Sequence, residues 1–166
     1  GISAVGNASH GTVVLSGNEV VFTPEADYHG PASFAYVVTG QDGGKAAGVA
    51  SFDITGVNDV PVVLGEAITG TEDATLLISQ AALLANDTDA DIATDHQTLT
   101  ISTVSNANHG TVSITGGGSI QFIPEANYNG TAGFDYVVSD GAGGTATATV
   151  QVQVSSVNDA PVASGE

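Results

Sequence analysis

The chain has 166 residues, with 18 Asp or Glu against a single basic residue, Lys45, and a formal net charge of −17. Only 11% of residues are charged while 42% are hydrophobic, so the acidity sits on a chain able to bury a core rather than on a disordered tail. The balance of sign excludes a phosphate-tracking nucleic-acid binder and disfavours anchoring on anionic lipid, both of which need Lys and Arg.

Strands are predicted from period-two alternation and Gly/Asn punctuation. In chain order the first set falls at about 2–5, 12–15, 19–23, 34–39 and 46–55. After Val57-Asn-Asp-Val-Pro, a second set falls at about 62–70 (A), 75–79 (B), 98–105 (C), 111–115 (D), 119–123 (E), 133–139 (F) and 145–155 (G). Strand G is the plainest, Thr145-Ala-Thr-Ala-Thr-Val-Gln-Val-Gln-Val alternating small or apolar with polar residues. Between B and C, Ser79-Gln-Ala-Ala-Leu-Leu-Ala-Asn reads as a helical turn capped by Ser79. The expected fold class is all-β, a Greek-key β-sandwich of seven short strands.

The two sets are copies. His10-Gly-Thr-Val recurs as His109-Gly-Thr-Val, and Phe22-Thr-Pro-Glu-Ala-Asp-Tyr-His-Gly as Phe122-Ile-Pro-Glu-Ala-Asn-Tyr-Asn-Gly. Phe34-Ala-Tyr-Val-Val returns as Phe134-Asp-Tyr-Val-Val, and Val57-Asn-Asp-Val-Pro as Val157-Asn-Asp-Ala-Pro. A period of about 100 residues is that of one sandwich domain. Nothing in residues 1–57 matches Ile68–Leu99. The expected organisation is therefore strands C–G of one repeat at 1–57, a complete repeat at 58–157, and a linker stub at 158–166. On this reading the chain is a piece of a longer array whose first copy, lacking A and B, has unpaired sheet edges.

Because successive strands reverse direction, loops alternate between two poles. At one pole of the complete repeat the B–C loop brings Asp87, Asp89 and Asp91, the F–G loop brings Asp140, and the linker brings Asn58 and Asp59. Glu25 and Asp27, in the E–F loop of the preceding copy, are expected at the same joint. At the other pole, Glu72 and Asp73 from the A–B loop and Glu125 and Asn127 from the E–F loop are expected around Asn158 and Asp159. Like charges 4–5 Å apart cost on the order of 3–4 kcal/mol per pair at an effective dielectric of 20. With no Arg and one Lys, the chain cannot neutralise them itself. Oxygen ligands without Cys or a His cluster select a hard cation of six to eight coordination, Ca²⁺ rather than Zn²⁺ or Mg²⁺.

Other chemistries are excluded in turn. Cys is absent, which removes disulfides, thiolate metal sites and a thiol nucleophile. Asp87-Thr-Asp-Ala-Asp91 has no Gly at the sixth loop position and no Glu at the twelfth, so it is not an EF-hand. His10 and His109 occupy equivalent turns and are explained by repetition, while the Gly runs lack the Lys and helix of a phosphate loop. No Gly-x-Ser-x-Gly elbow is present. No catalysis is expected. Asp53, Asp135 and Glu19 fall on strands and are read as solvated. Tyr36 and Tyr136 are read as core or corner aromatics.

Val-Asn-Asp-x-Pro at each boundary, Thr71-Glu-Asp, Leu83-Leu-Ala-Asn-Asp-Thr-Asp-Ala-Asp91, His109-Gly-Thr-Val, Pro-Glu-Ala-Asn-Tyr-Asn-Gly and Val138-Ser-Asp-Gly-x-Gly-Gly together resemble bacterial cadherin-like tandem repeats of large RTX-type surface adhesins. The resemblance covers nearly the whole chain. It implies extracellular or cell-surface modules with calcium at the joints, contacting neighbouring repeats of the same chain and extending an adhesin from the cell. The alternative it leaves open is that the repeat itself binds glycan or another adhesin copy. By the same resemblance Glu72 takes the role of the acidic residue near the end of strand A, and Asn58-Asp59 and Asn158-Asp159 that of the linker motif. Asp87, Asp89 and Asp91 cover the aspartate pair of the B–C loop, and Asp140 the F–G aspartate. Gly40 stands where Asp140 would be in the first copy, with Asp42 nearby, and the linker lacks the first aspartate of the full eukaryotic pattern.

Overall fold

The structure, a computed structural model, describes residues 1–159. It contains two compact units, Gly1–Val57 and the part of the chain from Asn58 onward. Residues 160–166, most of the expected linker stub, lie outside the described residues.

The first unit holds β1 (Ile2–Ser9), β2 (Gly11–Ser16), β3 (Glu19–Pro24), β4 (Gly30–Thr39) and β5 (Lys45–Ile54). They form a three-stranded sheet in the order β1-β4-β5 and a two-stranded sheet, β2-β3. All pairings are antiparallel. Phe22, Phe34 and Phe52 meet between the sheets, Phe22 and Phe52 edge to face at 4.9 Å, a favoured aromatic geometry.

The second unit repeats this plan and adds to it. It holds β6 (Glu66–Thr71), β7 (Leu76–Ile78), β8 (Thr100–Asn108), β9 (Gly110–Ile114), β10 (Ile120–Pro124), β11 (Gly130–Ser139) and β12 (Thr145–Ser155). The sheets are β7-β10-β9 and β6-β12-β11-β8. β6 runs parallel to β12, from Glu66 opposite Val150 to Thr71 opposite Ser155. β7 runs antiparallel to β10, Leu76 facing Phe122 and Ile78 facing Ile120. Strand A is shorter than the sequence suggests. Its predicted start is a lone bridge between Val62 and Thr88, because the chain there follows the B–C loop instead of the sheet.

Period-two alternation places Val150, Val152 and Val154 of β12 and Ala132, Phe134, Tyr136 and Val138 of β11 in one buried core, closed by Phe122, Ile120 and Leu83. Helix α1 (Gln80–Leu83) forms where expected, the Ser79 hydroxyl accepting the Ala82 amide at 3.2 Å. Gln80 ties it down, donating to Gly118 O at 2.8 Å and accepting from Ile101 N at 3.1 Å. A second turn, α2 (Ile92–Asp95), was not expected from the sequence. It carries no apolar periodicity and ends at His96 in a left-handed conformation, φ 57°.

Tyr136 is fully buried, and its hydroxyl lies 3.0 Å from Leu64 O and 3.3 Å from Leu83 O. It thereby ties the segment before β6 to the end of α1. Burial, with the nearby carboxylates of Asp87 and Glu66, pushes its pKa up to about 12. Tyr136→Phe keeps the ring but strands two carbonyls, so it is expected to cost about 1–3 kcal/mol. Urea unfolding followed by circular dichroism measures the loss.

Candidate metal centre

At one end of the second unit three elements converge: the linker, the loop between β7 and β8, and the turn between β11 and β12. Asp87, Asp91 and Asp140 are all buried there. Each is held by backbone amides. Asp87 Oδ1 accepts from Leu64 N at 2.9 Å, and Asp91 Oδ2 from Asp59 N at 2.8 Å. Asp89 Oδ1 accepts from Asp91 N at 2.8 Å, an Asx turn that rigidifies the loop. Val62 and Thr88 exchange amide hydrogen bonds at 2.8 and 3.0 Å. The linker is thus hydrogen-bonded to the B–C loop along its length.

Asp140 is the most completely satisfied. Its Oδ1 accepts the amides of Ala142, Gly143 and Gly144 at 2.7–3.0 Å. Its Oδ2 accepts from Gly144 N at 3.0 Å and from Asn58 Nδ2 at 2.9 Å. The sequence Asp140-Gly-Ala-Gly-Gly144 is what this wrap requires. Gly143 sits at φ 112°, and a Cβ at Gly144 would collide with Asp140 Oδ2. The hydrogen bond from Asn58, then those from the loop amides, hold the Asp140 carboxyl below the usual carboxylate range against the opposing effect of its desolvation.

Two carboxylate oxygens are left over. Asp87 Oδ2 and Asp89 Oδ2 are buried without a hydrogen-bond partner, as is Gln97 Oε1. Gln97 donates to Asn58 Oδ1 at 2.7 Å, so its orphaned oxygen is attached to the same group of residues. Unpaired oxygens of this kind cost several kcal/mol when buried unless a cation takes them up. All three are hard oxygen donors, the ligand type that Ca²⁺ takes. Their donor chemistry suits a hard divalent cation, while among the described residues the carboxylates whose oxygens come within 4.8 Å of one another lie at the opposite end.

The opposite end is more open. The Glu72, Asp73 and Asp159 carboxylates each offer an oxygen within 4.8 Å of the others, Glu72 buried and the other two exposed. Glu72 Oε1 accepts from Val157 N at 2.7 Å, and Asp73 Oδ1 from Asn127 N at 3.1 Å. Asn158 Nδ2 donates to Asp159 O, as Asn58 Nδ2 does to Asp59 O. Glu125 is turned to His109, Oε2 lying 3.3 Å from Nδ1, with His109 stacked on Tyr128 at 4.1 Å. The first unit repeats that arrangement: Glu25 faces His10 at 3.6 Å and His10 stacks on Tyr28 at 4.0 Å. Asp27 and Asn127 both sit in the left-handed region, φ 58° and 57°, which explains why Asp and Asn alternate there. Asp135, expected to be merely solvated, instead accepts hydrogen bonds from Thr149 Oγ1 at 2.7 Å and Asn106 Nδ2 at 2.8 Å, which lower its pKa.

Gln97, Leu64 and Gly144 are members of the site that the sequence did not single out. Leu64 contributes only a backbone amide, and Gln97 follows a turn with no periodic signal. Gly144 alone had a readable mark, as one of a Gly pair just after an aspartate.

The cadherin-like domain family matches residues 1–55 and 57–155. The chain belongs to this family. Among solved structures it is similar to the first two extracellular cadherin repeats of human mucin-like protocadherin, at 17% identity and a TM-score of 0.54, covering 90% of this chain and 81% of that one. At that identity the likeness bears on the fold alone. It also matches extracellular cadherin domains 1–4 of protocadherin gamma B7, at 13% identity, TM-score 0.43, covering 92% of this chain and 41% of that one. A third match is an endo-fucoidan hydrolase of glycoside hydrolase family 107, at 14% identity and TM-score 0.36, covering 92% of this chain and 28% of that one. The chain thus spans less than half the length of the latter two. No curated protein matches it.

The lowered pKa of Asp140 has a definite sign in stability. A carboxylate depressed in the folded state stabilises above its unfolded value, near 3.8, and that stabilisation is lost as pH falls through the lower folded value. In chelator, Asp140→Asn is expected to flatten the acid limb of the stability profile below that pH. Urea midpoints across the acid range test it. An unchanged slope would show that Asp140 does not contribute.

Proposed function

We propose that this chain is a calcium-stiffened structural module of a bacterial secreted or cell-surface adhesin, spacing a binding domain from the cell without catalysing a reaction. The observation that carries the reading is the pair of buried, unpartnered oxygens on Asp87 and Asp89, beside buried Asp91 and Asp140, in a chain whose sole basic residue is Lys45. A bound Ca²⁺ supplies positive charge and takes up oxygen ligands, and nothing further is asked of it.

The rest is done by the chain. Asp87 and Asp91 hold the linker through the amides of Leu64 and Asp59, while Asp140 holds Asn58. The residues that would bind the ion are therefore the ones that fix the linker to its own domain. Removing the ion leaves like charges facing one another and loosens the linker; restoring it stiffens the connection between modules. Glu72, Asp73, Asn158 and Asp159 would serve a second site in the same way at the opposite end of the second unit, with Glu125 and Asn127 contributing from its E–F loop. Extracellular modules bind calcium at about 10⁻⁴–10⁻³ M, so stiffness would follow secretion into a calcium-rich medium. Among the described residues no helix is long and apolar enough to cross a membrane.

An ion bound only by the folded state, at ten times its dissociation constant, adds about 1.4 kcal/mol. For a domain of this size that is a rise of roughly 6–11 °C in Tm. Asp89→Asn keeps the hydrogen bond to Asp91 but removes charge. It is expected to leave the melting temperature in EDTA unchanged or higher and to remove most of the calcium-dependent rise. Differential scanning fluorimetry with Ca²⁺, Mg²⁺ and EDTA tests this. Identical melting of the unaltered chain in Ca²⁺ and EDTA would end the proposal.

A further inference from the structure

The outer face of the first unit's three-stranded sheet differs in kind from that of the second unit. Alternation turns Phe34 and Phe52 toward the core, so Ala35, Val37, Ala47 and Val49 point outward. Gly6 of β1 stands opposite Ala35, and Ala35 opposite Val49; in the next outward row Ala4, Val37 and Ala47 line up in the same way. Val49 is 67% exposed. The second unit carries Thr103, Ser105, Asp135, Thr147 and Thr149 where the first has Ala4, Gly6, Ala35, Ala47 and Val49. Thr147 and Thr149 are exposed although β6 lies beside β12, so these positions face solvent whichever strand flanks the sheet. The apolar character of the first face is therefore set by its own side chains, and the core beneath plays no part in it.

The two ends of this face carry opposite charges. Lys45, the chain's sole basic residue, begins β5, and Asp53 stands next to its last residue. Both are exposed, and they lie four residues either side of Val49. At ~3.4 Å per residue they are roughly 27 Å apart along one strand, too far to pair with each other within a chain. Among the outward positions of β4 and β5 no other is charged. The strand is thus antisymmetric in charge about its most exposed apolar residue.

We infer that this face is a self-association surface whose partner is the same face of a second copy of the chain. A two-fold axis along the Gly6–Ala35–Val49 row sets β5 of one copy over β5 of the other, running in opposite directions. Val49 then meets Val49, Ala35 meets Ala35, and each Lys45 meets the second copy's Asp53, so one pattern makes two ion pairs. Sheets packed face to face cross at ~30°, which leaves the strand ends within reach of a flexible Lys side chain. Elsewhere the surface of a chain with net charge −17 sets like charges together, so this orientation is the one that repulsion selects. The second unit cannot pair in this way: Asp135 would face its own copy at the axis, and Thr145 and Gln153 stand where Lys45 and Asp53 do. Three strands ~4.8 Å apart and about nine residues long offer on the order of 400 Å² per copy, the size of a weak, reversible contact. The inference stands apart from the calcium reading, since it uses none of those carboxylates.

The test is sedimentation of the full chain in EDTA at physiological salt, where no ion bridges the acidic loops and the net repulsion is screened. A monomer–dimer equilibrium is expected at roughly 0.1–1 mM chain. Lys45→Asp or Asp53→Lys alone sets two like-charge pairs across the axis and is expected to weaken dimerisation about tenfold, while the double exchange restores it to within about twofold. Ala35→Asp with Val49→Thr installs the residues that the second unit's sheet already carries, and should abolish the dimer without altering thermal unfolding. Because the chain has no Cys, Val49→Cys supplies one thiol that a short bis-maleimide should join copy to copy, whereas Thr149→Cys should not be joined. A chain that stays monomeric throughout this range overturns the inference, as does a double exchange that fails to rescue. A dimer indifferent to Ala35→Asp with Val49→Thr, in which the β5 amides exchange more slowly, also overturns it, because that is edge pairing along β5 and not packing of faces.

Discussion

The arrangement at the linker end of the second unit follows from burying carboxylates in a protein that has no guanidinium and a single ammonium side chain to set against them. Asp87, Asp91 and Asp140 lose water as the β7–β8 loop folds over the end of the sandwich. The available donors are peptide N–H groups and one Asn amide, and these are the donors used. Several of them belong to the linker. Solvating the charge and positioning the linker are thus one structural problem with one solution. The solution is incomplete by two oxygens, Asp87 Oδ2 and Asp89 Oδ2. Both belong to the loop whose neighbouring residues hold the Asn58–Leu64 segment through its amides.

The sandwich beneath needs no such device. Its core is a layer of Val, Ile, Phe and one Tyr supplied by alternate positions of β10, β11 and β12. The single polar atom carried into it, the Tyr136 hydroxyl, ends against two carbonyls. A core that is apolar and closed lets the loops carry a poor local charge balance without unfolding the domain. It also gives the loops fixed ends, so that the Asp140 turn and the Asp87–Asp91 loop are held within hydrogen-bonding reach of the same linker.

The strands were legible because each has one buried face, and alternation is the direct imprint of a buried face on sequence. The poles were legible because seven reversing strands leave little freedom in which loop lies where. The contacts Asn58–Asp140 and Asp59–Asp91 fall at the pole to which that topology assigns them. What the sequence withheld were contributions made by the main chain. Leu64 acts through its amide, which every residue but proline possesses. The β6 start was overrun for the same reason: Val62 and Val63 look like strand, but the partner of Val62 is Thr88 in a loop. Gln97 had no pattern to betray it, and α2 is too short and too polar to show a period.

The two copies also separate the structural requirement of a turn from the requirement of a charge. At the β11–β12 turn Asp140 accepts three successive amides, which by itself would look like a purely conformational role. The equivalent β4–β5 turn has Gly40 in that place and still closes, with Gly40 N donating to Gly44 O at 2.8 Å and Asp42 Oδ1 accepting from Gly44 N at 3.3 Å. A carboxylate at the Asp140 position is therefore not needed to make the hairpin. What Asp140 adds, and Gly40 cannot, is an acceptor for Asn58. The aspartate is best understood as a residue for holding the linker that also caps its own turn, which places its role with Asp87 and Asp91 rather than with the β-hairpin.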